Sequence, residues 1–315
     1  MKTIQHPSPD ELAAAACLEK VDRVPRDPGT SAFKAAARLH QSRWREARNH
    51  PMGTHPISGY GARPLGSRLP LAYALQTGVN FIDPRCAEAA HARLAASQRH
   101  QMLDADRLHA DLLSSMPMCF NLFGTIAEPA RATAALRAWW PDIPGPVIQV
   151  IFEWSPGRGD PGYLGNRTSF DVAFILDLGE GRHGILGIET KYHEHPTRVG
   201  IRPDSLPRYL EVSRASRLFD ERALAELPAD TASQIWLDHL LALSMLQHAE
   251  GRWQWARFVI VYADGNPSWP PLIQRYRSLL RDDRTFAAST FDELVGADAL
   301  EPQVRQALID RYRCW

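Results

Sequence analysis

Phe170-Asp171-Val172-Ala173-Phe174-Ile175-Leu176-Asp177-Leu178 and Gly184-Ile185-Leu186-Gly187-Ile188-Glu189-Thr190-Lys191-Tyr192 decide how this chain is read. Both runs alternate and are rich in β-branched and aromatic residues, which is the pattern of strands. Gly179-Glu180-Gly181-Arg182 lies between them and has the composition of a tight hairpin turn. Residues two apart on a strand leave the same face, so Glu189 and Lys191 project together while Leu186, Ile188 and Thr190 face the other way. Asp171 opens the preceding strand, and a suitable antiparallel register sets it beside Glu189.

Two carboxylates brought together at a sheet end repel unless a cation lies between them. An all-oxygen set with open positions suits Mg²⁺ or Mn²⁺. Such a cation polarises a phosphoryl oxygen and lowers the pKa of water, the requirements of phosphodiester hydrolysis. Lys191 is then placed to orient that water, to help deprotonate it, or to stabilise the developing negative charge; spacing alone does not choose.

Upstream, Val147 to Trp154 is a third apolar run that reads as a strand, ending at Glu153 and followed by the turn-rich Pro156-Gly157-Arg158-Gly159-Asp160-Pro161-Gly162. Glu153 is a further candidate metal ligand, and Arg158 a candidate phosphate clamp. Downstream, a polar, arginine-containing stretch runs from His193 to Pro228. Thr231 to His248 then has the pattern of an apolar helix, with Thr231 or Ser233 as its cap. Ala256 to Ala263 reads as a fourth strand, and helices are expected over Pro270–Arg281 and Pro302–Tyr312. In the first part of the chain, helices are expected over Ser31–Arg48, Ala87–Ser115 (broken by Pro117) and Pro129–Trp140, with a Gly/Pro-rich irregular connection from His50 to Leu71. A hairpin followed by a helical crossover implies a mixed sheet flanked by helices. The expected division is an N-terminal helical, loop-rich extension over 1–103 and an α/β domain over 104–315, with its core over 104–296.

Bulk properties exclude more than they assign. The 315 residues are 44% hydrophobic and 23% charged, ordinary for a globular protein and ample for a core. No apolar run approaches the length of a membrane helix, and Met1 to Pro7 lacks the apolar centre of a secretory signal, so a cytoplasmic protein is expected. The four cysteines form no C-x-x-C pair and read as idle thiols. Net charge is zero, but Glu19 to His50 carries eight Lys/Arg against four acids, a candidate phosphate-facing surface. The arginines from Arg198 to Arg222 are a second candidate. Lysine occurs only at Lys2, Lys20, Lys34 and Lys191. That a chain so biased to arginine places a lysine in its most strand-like segment fits a role for a compact ammonium, or one whose pKa can be lowered, and fits chance as well.

Three stretches carry a resemblance: Phe152-Glu153-Trp154-Ser155-Pro156-Gly157-Arg158, Thr168-Ser169-Phe170-Asp171-Val172, and Gly187-Ile188-Glu189-Thr190-Lys191-Tyr192-His193-Glu194. Leu113 to Gly124 and Gly78-Val79-Asn80-Phe81 extend it over most of the chain. They resemble a bacterial family of restriction-endonuclease-like proteins within the PD-(D/E)XK nuclease superfamily. The resemblance implies a restriction-endonuclease-like core, a mixed four-stranded sheet flanked by helices, and Mg²⁺-dependent cleavage of DNA. It puts Asp171, Glu189 and Lys191 on the catalytic motif; Phe170 stands where the motif's name has proline. A role in restriction or phage defence is an extrapolation from it.

Ser169, Gln234 and His193 join Arg158 as candidate nucleic-acid contacts. Gln234 shares a helix face with Asp238, though a buried amide satisfied by backbone is the simpler role. Double-strand cutting would favour a homodimer, one motif per strand. Two rivals stay open: a catalytically inactive nuclease-fold module binding nucleic acid or a protein partner, and a hydrolase of another phosphate ester.

Overall fold

The computed structural model describes residues 4–17, 28–57, 61–96 and 103–315. The front of the chain holds helices α1 (Pro9–Ala14) and α2 (Pro28–Ala47), the hairpin β1 (Gly53–Ile57) and β2 (Gly61–Leu65), then α3 (Leu71–Thr77), α4 (Pro84–Ala95), α5 (Ala105–Ala110), α6 (Ser115–Phe123) and α7 (Pro129–Trp139). Strands β3 (Val147–Trp154), β4 (Phe170–Asp177) and β5 (His183–Lys191) follow, then α8 (Leu206–Ser216), α9 (Glu221–Glu226) and α10 (Ser233–Leu246). The chain closes with β6 (Trp253–Tyr262), α11 (Trp269–Ser278), β7 (Phe286–Thr290), α12 (Phe291–Gly296) and α13 (Pro302–Tyr312).

The main sheet is five-stranded in the order β3-β4-β5-β6-β7. β3, β4 and β5 form an antiparallel meander; β6 and β7 add parallel to β5 and β6. The four strands read from the sequence are thus joined by a fifth at the edge. Phe286-Ala287-Ala288-Ser289-Thr290 has little β propensity of its own, and its pairing with β6 makes it a strand.

Alternation along the strands divides the core. Val172, Phe174, Leu186, Ile188 and Val259 face one cluster, shared with Phe33 and Ala37 of α2, Cys86 of α4, Phe120 of α6 and Tyr312 of α13. Ala173, Ile175, Ile185, Phe258 and Ile260 face the other, covered by α8, α10 and α11. α10 is buried on almost every side, as its apolar composition requires.

Several local expectations are corrected. The span Ala87–Ser115 is not one helix: α4 ends at Ala95, residues 97–102 lie outside the described residues, and Asp104 and Ser114 cap two new helices. Pro117 sits in the first turn of α6, where the backbone N–H groups have no helical partner, so it does not break the helix. The connection from His50 to Leu71 contains the β1–β2 hairpin, and the stretch after His193 contains α8 and α9. α10 has no side-chain cap. Ser233 instead accepts a hydrogen bond from the Val199 amide at 2.9 Å, tying the helix start to the loop after β5.

Candidate active site

Register builds the site. Val172 pairs with Ile188, and Phe152 and Trp154 pair with Val172 and Phe170. One step along these ladders sets Glu153, Asp171 and Glu189 in a single line across β3, β4 and β5. All three belong to the sheet face that carries α10 and line a cleft of about 900 Å³ together with Ser169, Gln234 and Asp238.

The floor beneath the line is shaped by Gly187 and Phe170. A Cβ at Gly187 would lie 2.4 Å from Phe170 Cδ1, so only glycine admits the ring there. Phe170 therefore does packing work at the position where the motif's name has proline.

Glu153 is held in a left-handed backbone conformation, φ 48°, within β3. This conformation is strained for a residue with a Cβ and persists only where surrounding structure enforces it. Arg93 Nη2 and Arg158 Nη2 both donate to the Glu153 carbonyl at 3.0 Å. Its carboxylate accepts from Ser169 Oγ at 3.4 Å and lies 4.0 Å from Arg158 Nη2. Burial, and then the charge of Glu189, hold that carboxyl above the usual range.

Asp171 Oδ2 accepts from the Thr190 amide at 2.7 Å and from Thr190 Oγ1 at 2.6 Å, so the residue between Glu189 and Lys191 fixes the aspartate. Burial, then repulsion from Glu189 and Glu153, push the Asp171 carboxyl well above its usual range. Glu189 Oε1 accepts from Lys191 Nζ at 2.6 Å and from Gln234 Nε2 at 3.0 Å. Burial pulls the Lys191 ammonium downward, but Glu189, Asp171 and Glu194 outweigh it and raise the group above its ordinary value.

The strand end is clamped from both ends of the chain. Gln41 Nε2 of α2 donates to Tyr192 Oη at 2.9 Å, and Tyr192 Oη donates to the Tyr312 carbonyl of α13 at 3.0 Å. Beside it, Glu194 accepts from the amides of Tyr192 at 2.8 Å and Ser115 at 3.2 Å.

A family model described as the PD-(D/E)XK nuclease superfamily matches residues 26–314. The chain belongs to the PD-(D/E)XK nuclease superfamily. No curated protein and no solved structure matches it.

Superfamily members typically use divalent metal ions, and the donors here can be tested against one. Among the described residues, no three His, Cys, Asp or Glu side chains gather into a ready-made metal cage. The residues still fit a hard cation. The carboxylates supply oxygen alone, they repel one another, and they open into a cleft with room for water. Mg²⁺ in particular keeps several waters and needs one or two protein carboxylates.

The remaining candidates are distributed unevenly around the PD-(D/E)XK motif. Ser169 and Gln234 line the cleft. Gln234 bonds Glu189 and not the backbone, which corrects its simpler role. Arg158 is engaged with the carbonyls of Arg167, at 3.1 Å, and Glu153. His193 Nδ1 lies 3.9 Å from Glu194 Oε2, outside the cleft lining. Of the basic stretch from Glu19 to His50, Lys34, Arg38 and Arg45 are buried, Arg43 and Arg48 are exposed, and Lys20, Arg23 and Arg26 lie outside the described residues. From Arg198 to Arg222, Arg202 lines the cleft, while Arg208 holds the Tyr163 carbonyl at 2.7 Å and Arg214 pairs with Glu221 at 2.9 Å. Among the described residues no helix is long and apolar enough to cross a membrane.

Sequence reading missed Arg93 and the fixing role of Thr190. Arg93 gives no signal, being one arginine on an ordinary helix. Thr190 was readable only as the residue facing away from Glu189 and Lys191.

Proposed function

We propose that the chain is a metal-dependent nuclease that hydrolyses DNA phosphodiester bonds. The observation that carries this reading is the line Glu153, Asp171, Glu189 across three strands, with the Lys191 ammonium 2.6 Å from Glu189 at its end. Mg²⁺ or Mn²⁺ held by Asp171, Glu189 and Glu153 would supply Lewis-acid polarisation of the phosphate and acidify water. The protein's own share is positional and electrostatic. Thr190 fixes Asp171, Gln234 fixes Glu189, and Lys191 presents a permanent positive charge where negative charge develops. Ser169, Arg202 and Gln234 offer phosphate contacts along the cleft. Arg158 and His193 are further DNA contacts in this reading, and Arg158 would have to leave a carbonyl partner to make one.

The same reading takes 104–315 as the nuclease-like domain and 1–103 as its N-terminal extension. It includes action in the cytoplasm, a role in restriction or phage defence, and a homodimer for double-strand cutting. The test is cleavage of labelled single- and double-stranded DNA, and of RNA, with Mg²⁺, Mn²⁺ or chelator. Metal-dependent cutting of DNA by the wild type, lost in both Asp171→Ala and Lys191→Ala, is the expected result. Folded wild-type protein that cuts nothing under either metal would sink the reading in favour of an inactive nuclease-fold module. Preference for RNA would move the substrate, not the site.

A further inference from the structure

Two arginines share one acceptor beside the carboxylate line. Arg93 Nη2 and Arg158 Nη2 each lie 3.0 Å from the Glu153 carbonyl oxygen, so two like charges are drawn to a single neutral atom. One donor would satisfy that carbonyl. Burial, and then the charge of Arg158, weigh against the charged form of Arg93, so the second guanidinium comes at the cost of repulsion.

The two are mounted differently. Arg93 stands on α4, whose Cys86 and Ala90 are fully buried in the core that also holds Phe152 of β3. Its Nε is buried with no partner and its Nη1 reaches the Ala96 carbonyl only at 3.4 Å, so the bond to Glu153 is its closest. Arg158 stands on the loop between β3 and β4, whose Gly159, Asn166 and Arg167 line the cleft. Its other close bond, to the Arg167 carbonyl at 3.1 Å, is made within that same loop. A ligand in the cleft can draw away a donor carried on the cleft's own wall, whereas a donor on a packed helix stays in place. Between them lies Glu153 at φ 48°. This turn decides where the carboxylate points, and a strained turn is kept only while its partners hold it. Were Arg158 the sole donor, substrate would release the turn just when the carboxylate is needed.

We propose that Arg93 is a positioning residue for the reaction: from α4 it keeps the Glu153 carbonyl occupied, and the Glu153 carboxylate aimed into the cleft, while Arg158 leaves that carbonyl for a substrate phosphate. This rests on the metal-dependent reading above.

Two readouts on full-length protein separate the arginines: binding of labelled DNA in EDTA over a range of salt, and single-turnover cleavage at saturating DNA with Mn²⁺. Arg158→Ala is expected to lower affinity about tenfold and to reduce the salt slope by about one, as loss of a phosphate contact should. Arg93→Ala should leave affinity and slope as in wild type while the saturating rate falls about 10- to 100-fold. Arg93→Lys, which retains a cationic donor, should recover most of that rate. Urea midpoints establish that each variant is folded, and Arg93→Gln replaces the alanine variant if that one is not. A salt slope reduced by Arg93→Ala would make Arg93 a phosphate contact and overturn the inference. A saturating rate that survives Arg93→Ala, or that Arg158→Ala lowers just as far, also overturns it; all three results leave the metal-dependent reading intact. Wild-type protein that cuts nothing overturns both.

Discussion

The Gln234 side-chain amide donates to Glu189 Oε1 across 45 residues of sequence, the same oxygen that holds Lys191. One carboxylate oxygen thereby joins α10 to both members of the Glu-x-Lys pair. Losing the amide frees Glu189 to rotate without removing any charge. Gln234→Ala is expected to lower single-turnover DNA cleavage about 10- to 100-fold, the usual cost of losing an orienting partner, with the melting temperature nearly unchanged. Full activity in this variant would mean that the bond is packing only. Gln234→Glu, which adds a like charge, should be worse than alanine.

Glu153 combines a strained backbone with a carboxylate in the cleft, and two substitutions separate these. Glu153→Ala removes the carboxylate and keeps the strain; Glu153→Gly removes both. Both variants should lose cleavage, with Glu153→Gly the more stable in urea by about 1 kcal/mol, the order of cost of a left-handed conformation for a residue with a Cβ. Equal stability would show that the strand does not enforce φ 48° on the alanine variant.

Gly187→Ala tests the floor of the site. The new methyl would collide with the Phe170 ring, which is fully buried and stacks against Phe258. Overpacking of this kind costs about 1–3 kcal/mol, read as a lowered urea midpoint. Adding Phe170→Leu should recover part of it, and no recovery would place the clash elsewhere.

Acid should unfold the protein partly through His239. Its Nδ1 and Nε2 lie 2.9 Å from Tyr276 Oη and Thr285 Oγ1, and burial lowers its pKa from 6.5 to about 3. The folded state keeps the ring neutral while the unfolded state takes up a proton. The stability from this group is complete above pH 6.5 and is lost progressively as pH falls toward 3. By pH 5 the loss is about 2 kcal/mol. Urea titrations at pH 7.5 and pH 5 should show it, and His239→Gln should flatten the difference. An unchanged difference would assign the acid sensitivity to other groups, His40 first, whose pKa burial also lowers, to about 4.

The central part of this arrangement was legible because it is local. Alternation located β3, β4 and β5, spacing put Glu189 and Lys191 on one face, and glycines marked the hairpin. Register was not legible: that Asp171 meets Glu189 depends on pairings made across the turn. β7 was invisible because Ala287 and Ala288 owe their extended form to β6. α8 and α9 were hidden in a polar stretch, where α8 gains its helical setting by packing on α10. Within the basic stretch, charge counts do not report direction, and Lys34, Arg38 and Arg45 are buried. Gln234 and Asp238 could be placed on one helix face, but which strand that face meets is a tertiary fact.

The clamp on Tyr192 also bears on the order in which the molecule is made. The strand that bears Lys191 is synthesised well before Tyr312, whose carbonyl accepts the Tyr192 hydroxyl at 3.0 Å. A nascent chain still lacking α13 carries the whole Asp…Glu-x-Lys motif with this end unanchored. The clamp is completed only once α13 is available, 120 residues after Tyr192, so this end of the motif strand is anchored by chain made long after the strand itself.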